Sequence, residues 1–144
     1  MESSLINEIS TLRKTMQTFL NEEAKTFNLN SSEIKLIHIL SLNEGESQAE
    51  LAKRIDCDKA HIHRIVIKLL IKKLIHISNN KSDKCRNSKI TLTQRGKEIA
   101  EEINKKLLKW KSIIINGISQ EDISATRRVL EQIINNIKKE IENV

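Results

Sequence analysis

The chain has no proline, only 3 glycines and 2 cysteines, and aromatic residues make up just 2% of it. Each scarcity excludes something. So few turn-forming residues cannot supply the corners of a many-stranded sandwich or barrel. Gly45, Gly96 and Gly117 stand far apart, so no phosphate-cradling loop of the P-loop or dinucleotide type can be assembled. Phe19, Phe27 and Trp110 are too few to build base-stacking platforms for single strands. Cys57 and Cys85 make no disulfide framework, which fits a reducing cytoplasm. The longest apolar runs, such as 69–71, are far too short to span a membrane, and the start at Met1 does not read as a signal peptide.

What remains is 144 residues with 31% charged and 38% hydrophobic side chains. That suits one domain, alone or with an extension, and a chain of this size hides roughly two-thirds of its unfolded surface. The net charge of +6 is unevenly spread. Residues 50–95 carry twelve basic side chains against four acidic ones, while 1–49 carry four against seven and 96–144 nine against eight. A basic middle between nearly neutral flanks is the electrostatic footprint of a polyanion binder. Its bland alternative is a lysine-rich solvated surface.

Catalytic and metal chemistry find no foothold. Glu22–Glu23 and Glu101–Glu102 are adjacent on helices, so their carboxylates diverge, and no Ser, His and Asp cluster stands out. The expectation is a non-enzyme. His61 and His63 lie two apart on a helix and point about 200° away from each other, so they cannot chelate one ion. His38 and His76 lie in no run of ligands. No metal or cofactor is expected.

The apolar periodicity predicts helices. Leu5, Ile9, Leu12, Met16 and Phe19 form one stripe. Asn30 with Glu33 makes a capping box for a second helix, whose stripe is Ile34, Ile37 and Leu40 and whose end is 43–45. Ser47 with Glu50 opens a short third helix through Ile55, turning Leu51 and Ile55 inward. Asp56-Cys57-Asp58 is a tight turn, with Cys57 read as a small core residue. Asp58 then caps a fourth helix from Lys59 to about Lys73. Ile62, Ile65, Val66, Leu69 and Leu70 supply its apolar face, while Lys59, His61, His63, Arg64 and Lys68 lie largely off it. Residues 74–78 and 89–92 alternate at period two and read as strands around a basic turn at 79–84. Thr93 caps a long helix to about Ile115 with a stripe of Ile99, Ile103, Leu107, Trp110 and Ile114. Gly117 stops it. Ser119 with Asp122 opens the last helix, striped by Ile123, Leu130, Ile134, Ile137 and Ile141.

Helix, tight turn, helix, β hairpin is the order of a winged helix-turn-helix. A capped basic second helix fits the major groove, and a basic hairpin tip reaches phosphates or the minor groove. Three segments carry a family resemblance: 47–55 (SQAELAKRI), 60–66 (AHIHRIV), and Arg86 followed by 90–96 (ITLTQRG). Together they resemble the MarR family of bacterial regulators, over about residues 29–103. The pattern departs at Lys84, where the family wing usually has Asp, at Asp56, which replaces a common Gly, and at Ile67, where the family often has a polar residue.

The resemblance implies a mainly α (α+β winged helix) fold, flanked by long N- and C-terminal dimerisation helices. The expected division is 1–28 for the N-terminal dimerisation helix, 29–95 for the DNA-binding domain and 96–144 for the C-terminal dimerisation helices. It implies a cytoplasmic homodimer that binds a palindromic double-stranded DNA operator and represses by occluding a promoter. Release would come from a small-molecule or redox signal. The DNA-binding candidates are Lys59, Ala60, His61, His63, Arg64 and Lys68 on the recognition helix, with Lys81, Lys84 and Arg86 on the wing. Trp110 is a ligand-cleft candidate for which packing in a dimer core is the commoner role. Cys85, between Lys84 and Arg86, is a redox candidate because positive neighbours favour the thiolate. The alternative function is a winged-helix module that binds a protein without sequence-specific DNA recognition.

Overall fold

The structure, a computed structural model, describes residues 2–43, 45–78 and 88–144. The element order is α1 (Glu2–Lys25), α2 (Ser31–Leu42), α3 (Gln48–Ile55), α4 (Lys59–Ile71), β1 (Ile75–Ser78), β2 (Lys89–Leu92), α5 (Gln94–Ile114) and α6 (Gln120–Glu142). The chain divides into two compact units, Met1–Lys105 and Lys106–Val144.

Helix starts follow the capping chemistry. Asn30 accepts from the Glu33 amide at 2.9 Å and donates back to the Glu33 carboxylate, closing a reciprocal capping box on α2. Ser47 does the same for α3 with Glu50. Asp58 accepts from the His61 amide at 2.7 Å to start α4, and Ser119 accepts from Asp122 at 3.0 Å to start α6. Thr93 Oγ1 accepts from the Gly96 amide and donates to the Lys73 carbonyl, so one hydroxyl both caps α5 and ties it to the end of α4.

The core of the first unit gathers Leu36, Ile37 and Leu40 from α2, Leu51 from α3, Ile62, Val66 and Leu69 from α4, Ile90 from β2 and Ile103 from α5, all fully buried. β1 and β2 pair antiparallel, with Ile75 opposite Leu92 and Ile77 opposite Ile90. The residues before α3 join this sheet by one bridge, Glu46 to Ile90, with the Ile90 amide donating to the Glu46 carbonyl at 2.8 Å. That bridge fixes the root of the hairpin against the start of α3.

Several details differ from the periodicity. α4 ends at Ile71, not near Lys73, because Lys73 takes a left-handed φ of 59° and the Leu74 amide turns back to the Leu69 carbonyl. Leu74 is thereby used as a helix cap and β1 begins one residue later. Leu70 is exposed, since it lies at the edge of the stripe that Ile62, Ile65, Val66 and Leu69 bury. On α5 the buried line is Gly96, Ala100 and Ile103, while Ile99 and Leu107 are half-buried and Ile114 is exposed. Small side chains carry this contact because the helix approaches a backbone. A Cβ at Gly96 would stand 2.1 Å from the Leu74 carbonyl oxygen.

In the second unit, α6 has no buried residue. Leu130, Ile134, Ile137 and Ile141 of its predicted stripe are all exposed, with Ile137 at 55%.

Candidate nucleic-acid interface

The α3–turn–α4 segment is held by its own ends. Asp56 sits in the left-handed region at φ 58°, and the Asp56 and Cys57 amides return to the Lys53 and Ala52 carbonyls. Aspartate is one of the few residues besides glycine that visits this region readily. The chain then reverses into Asp58, whose carboxylate satisfies a free amide at the positive end of α4. Cys57 is half-buried between them. Partial burial, with the Asp58 and Asp56 carboxylates, pushes its thiol above the ordinary value, so it is a neutral packing group at pH 7.

Two ion pairs brace this segment against the rest of the unit. Arg54 of α3 grips Glu46 with both ends of its guanidinium, Nε to Oε2 at 2.8 Å and a terminal nitrogen to Oε1 at 2.7 Å. Glu46 is also the bridge residue of the sheet, so α3 and the hairpin root are locked together. At the other end, Lys72 donates to the buried Glu33 carboxylate at 2.6 Å and to the Asn28 carbonyl at 2.8 Å. That pair fixes the α4 C-terminus to the start of α2. Neither pair is visible in periodicity, because its members lie far apart in sequence or outside helices. His38 adds a third tie, its Nδ1 2.7 Å from Asn104 Oδ1, joining α2 to α5.

α4 presents its candidate contact residues outward. Lys59, Ala60, His63, Arg64 and Lys68 are exposed, and His61 is half-buried. None of them takes part in a salt bridge among the described residues. Lys59 and His63, with Ile62, line an open groove of about 630 Å³. Its other walls are Ser47, Gln48 and Ala49 at the start of α3, and Ile77 and Ser88 at the hairpin. The α3 residues were not among the sequence candidates. Their signal was the Ser47 capping box, which announces a helix N-terminus. The wing candidates Lys81, Lys84 and Arg86, and the redox candidate Cys85, lie outside the described residues. Trp110 is half-buried on α5, in the second unit. Among the described residues no group of three or more His, Cys, Asp or Glu could hold a metal ion, and no helix is long and apolar enough to cross a membrane.

No family model matches the chain. Solved structures match nearly all of it. A MarR protein from Peptoclostridium difficile superposes with a TM-score of 0.84 at 21% identity, covering 97% of this chain and 91% of that one. The chain has the MarR winged-helix fold. A MarR-family regulator from Listeria monocytogenes, complexed with a 26-mer DNA, gives 0.81 at 20% identity over 94% of this chain and 89% of its own. Staphylococcus aureus MarR, in complex with salicylate and kanamycin, gives 0.82 at 19% identity over 96% and 93%. In a MarR fold, α3 and α4 form the helix-turn-helix and β1 and β2 the root of the wing.

Proposed function

We propose that this chain is a MarR-type transcription regulator that binds duplex DNA as a homodimer, with α4 as its recognition helix. The observation that carries this reading is the outward face of α4. Lys59, Arg64 and Lys68 are exposed and free of salt bridges among the described residues, on a helix whose C-terminal end is tied to α2 by Glu33–Lys72 and which follows an α3 tied to the hairpin root by Glu46–Arg54. Rigid presentation of these cations suits a polyanion, because among the described residues no carboxylate partner has to be given up on binding. The DNA complex of the Listeria monocytogenes protein of the same fold supports the same choice.

A second copy of the chain is the proposed cover for the exposed apolar stripes of α1 and α6. A two-fold dimer would set the two recognition helices roughly 34 Å apart, one helical turn of DNA, and so select a palindromic operator. Repression by promoter occlusion is the proposed output, in the cytoplasm, with release by a small molecule. The salicylate and kanamycin complex of the Staphylococcus aureus protein supports that last element.

Selection of bound sequences from random duplex DNA tests the reading. A specific binder enriches a two-fold motif, and its affinity falls steeply with salt. Arg64→Ala is expected to weaken binding to the enriched site by about 1–3 kcal/mol, measured by fluorescence anisotropy. No enriched motif, or a flat salt dependence, would overturn it in favour of a protein-binding winged helix.

A further inference from the structure

The face of α4 that points away from the core is not cationic throughout: beside Arg64 it carries a line of apolar side chains. At about 100° per residue, Ala60, Ile67 and Ile71 fall within an arc of about 40° on the side opposite Ile62 and Leu69. Ile62 and Leu69 are fully buried; Ile67 is 41% exposed and Ile71 75% exposed. Basic side chains flank this line on both sides. His63 and Lys59 lie toward one edge, and Arg64 and Lys68 toward the other. The outermost ridge of the helix therefore sets an apolar line beside Arg64, with Lys68 on the same flank and His63 and Lys59 on the other.

That cross-section matches the major groove. A helix seated there meets phosphates along both walls and base edges on the floor. The groove floor carries one apolar group, the C5-methyl of thymine. A purely apolar protein partner on Ile67 would bury the flanking basic groups without a counter-charge, at a large desolvation penalty, whereas DNA offers them phosphates. We infer that Ile67, together with Ala60, reads thymine methyl groups in the major groove and makes the half-site preference one for A·T pairs at the positions these side chains meet. The inference rests on the DNA-binding reading above and adds to it the chemistry of base recognition. Ala60 and Ile67 are two turns apart, which spaces their contacts by about three base pairs.

The experiment takes the duplex enriched by the native protein and replaces each thymine in turn with deoxyuridine. This removes the methyl group and leaves every hydrogen-bonding edge unchanged. Native protein is expected to lose about three- to fivefold in affinity at one or two thymines per half-site, the worth of burying one methyl group. Ile67→Ala is expected to bind the thymine and deoxyuridine duplexes alike at the position Ile67 reads. Ile67 is exposed, so this variant keeps the core, and the deoxyuridine series on native protein gives an answer without it. Indifference of native protein to every deoxyuridine would overturn the inference while leaving DNA binding intact. So would an equal deoxyuridine loss in native protein and Ile67→Ala. Unchanged DNA affinity of Ile67→Ala with altered sedimentation would assign the ridge to a protein contact instead. Failure of the native protein to enrich any duplex would overturn the regulator reading itself.

Discussion

The two units of this chain treat their apolar residues in opposite ways. In Met1–Lys105, the stripes of α2 and α4 vanish into a shared core with Leu51, Ile90 and Ile103. In Lys106–Val144, the equally regular stripe of α6 stays exposed, and the helix has no buried residue. Periodicity is thus a statement about which face is apolar, not about what covers it. The first unit finds its cover within the chain. The second offers a face that a second copy could occupy. α1 behaves in part like α6, since Leu5, Leu12 and Met16 are exposed although the helix belongs to the first unit.

Four substitutions sharpen this contrast. The largest effect is expected in the first unit's core. Leu40→Ala removes a fully buried side chain and should destabilise the fold by about 2–5 kcal/mol, read by chemical denaturation. Next comes Lys72→Ala, which strands the buried Glu33 carboxylate and should lose about 2–3 kcal/mol by the same measurement. In the second unit the outcome changes character. Ile134→Asp should weaken self-association by about 2 kcal/mol in sedimentation equilibrium, and leave the helical circular dichroism of the monomer unchanged. A drop in monomer stability as large as that of Leu40→Ala would erase the distinction between the units. The smallest effect is Ser119→Ala, which removes the α6 cap and should cost about 1 kcal/mol locally. Amide exchange should quicken in the first turn of α6 and not in α2–α4.

Local chemistry was legible where the residues that form it are neighbours. The Asn30, Ser47, Asp58, Thr93 and Ser119 caps each need only a side chain and an amide three positions on, and all five are formed. The strand at 89–92 was legible for the same reason, since alternation is a local pattern. The exposed basic residues of α4 followed from the apolar stripe, because whatever lies off a stripe lies outward.

The tertiary structure decided the rest. Hydropathy could not reveal that α5 packs through Gly96 and Ala100, because the contact depends on a missing side chain next to the Leu74 carbonyl. It could not pair Glu33 with Lys72, or Glu46 with Arg54, because carboxylates and cations carry no period and the partners meet only after folding. The ridge of Ala60 and Ile67 belongs to both accounts. The sequence alone set the angle between these residues and the buried Ile62 and Leu69, since helix geometry is fixed by the backbone. Only the tertiary packing decided how far each side chain on that side is uncovered, Ile67 at 41% and Ile71 at 75%, because that depends on what the neighbouring elements leave open.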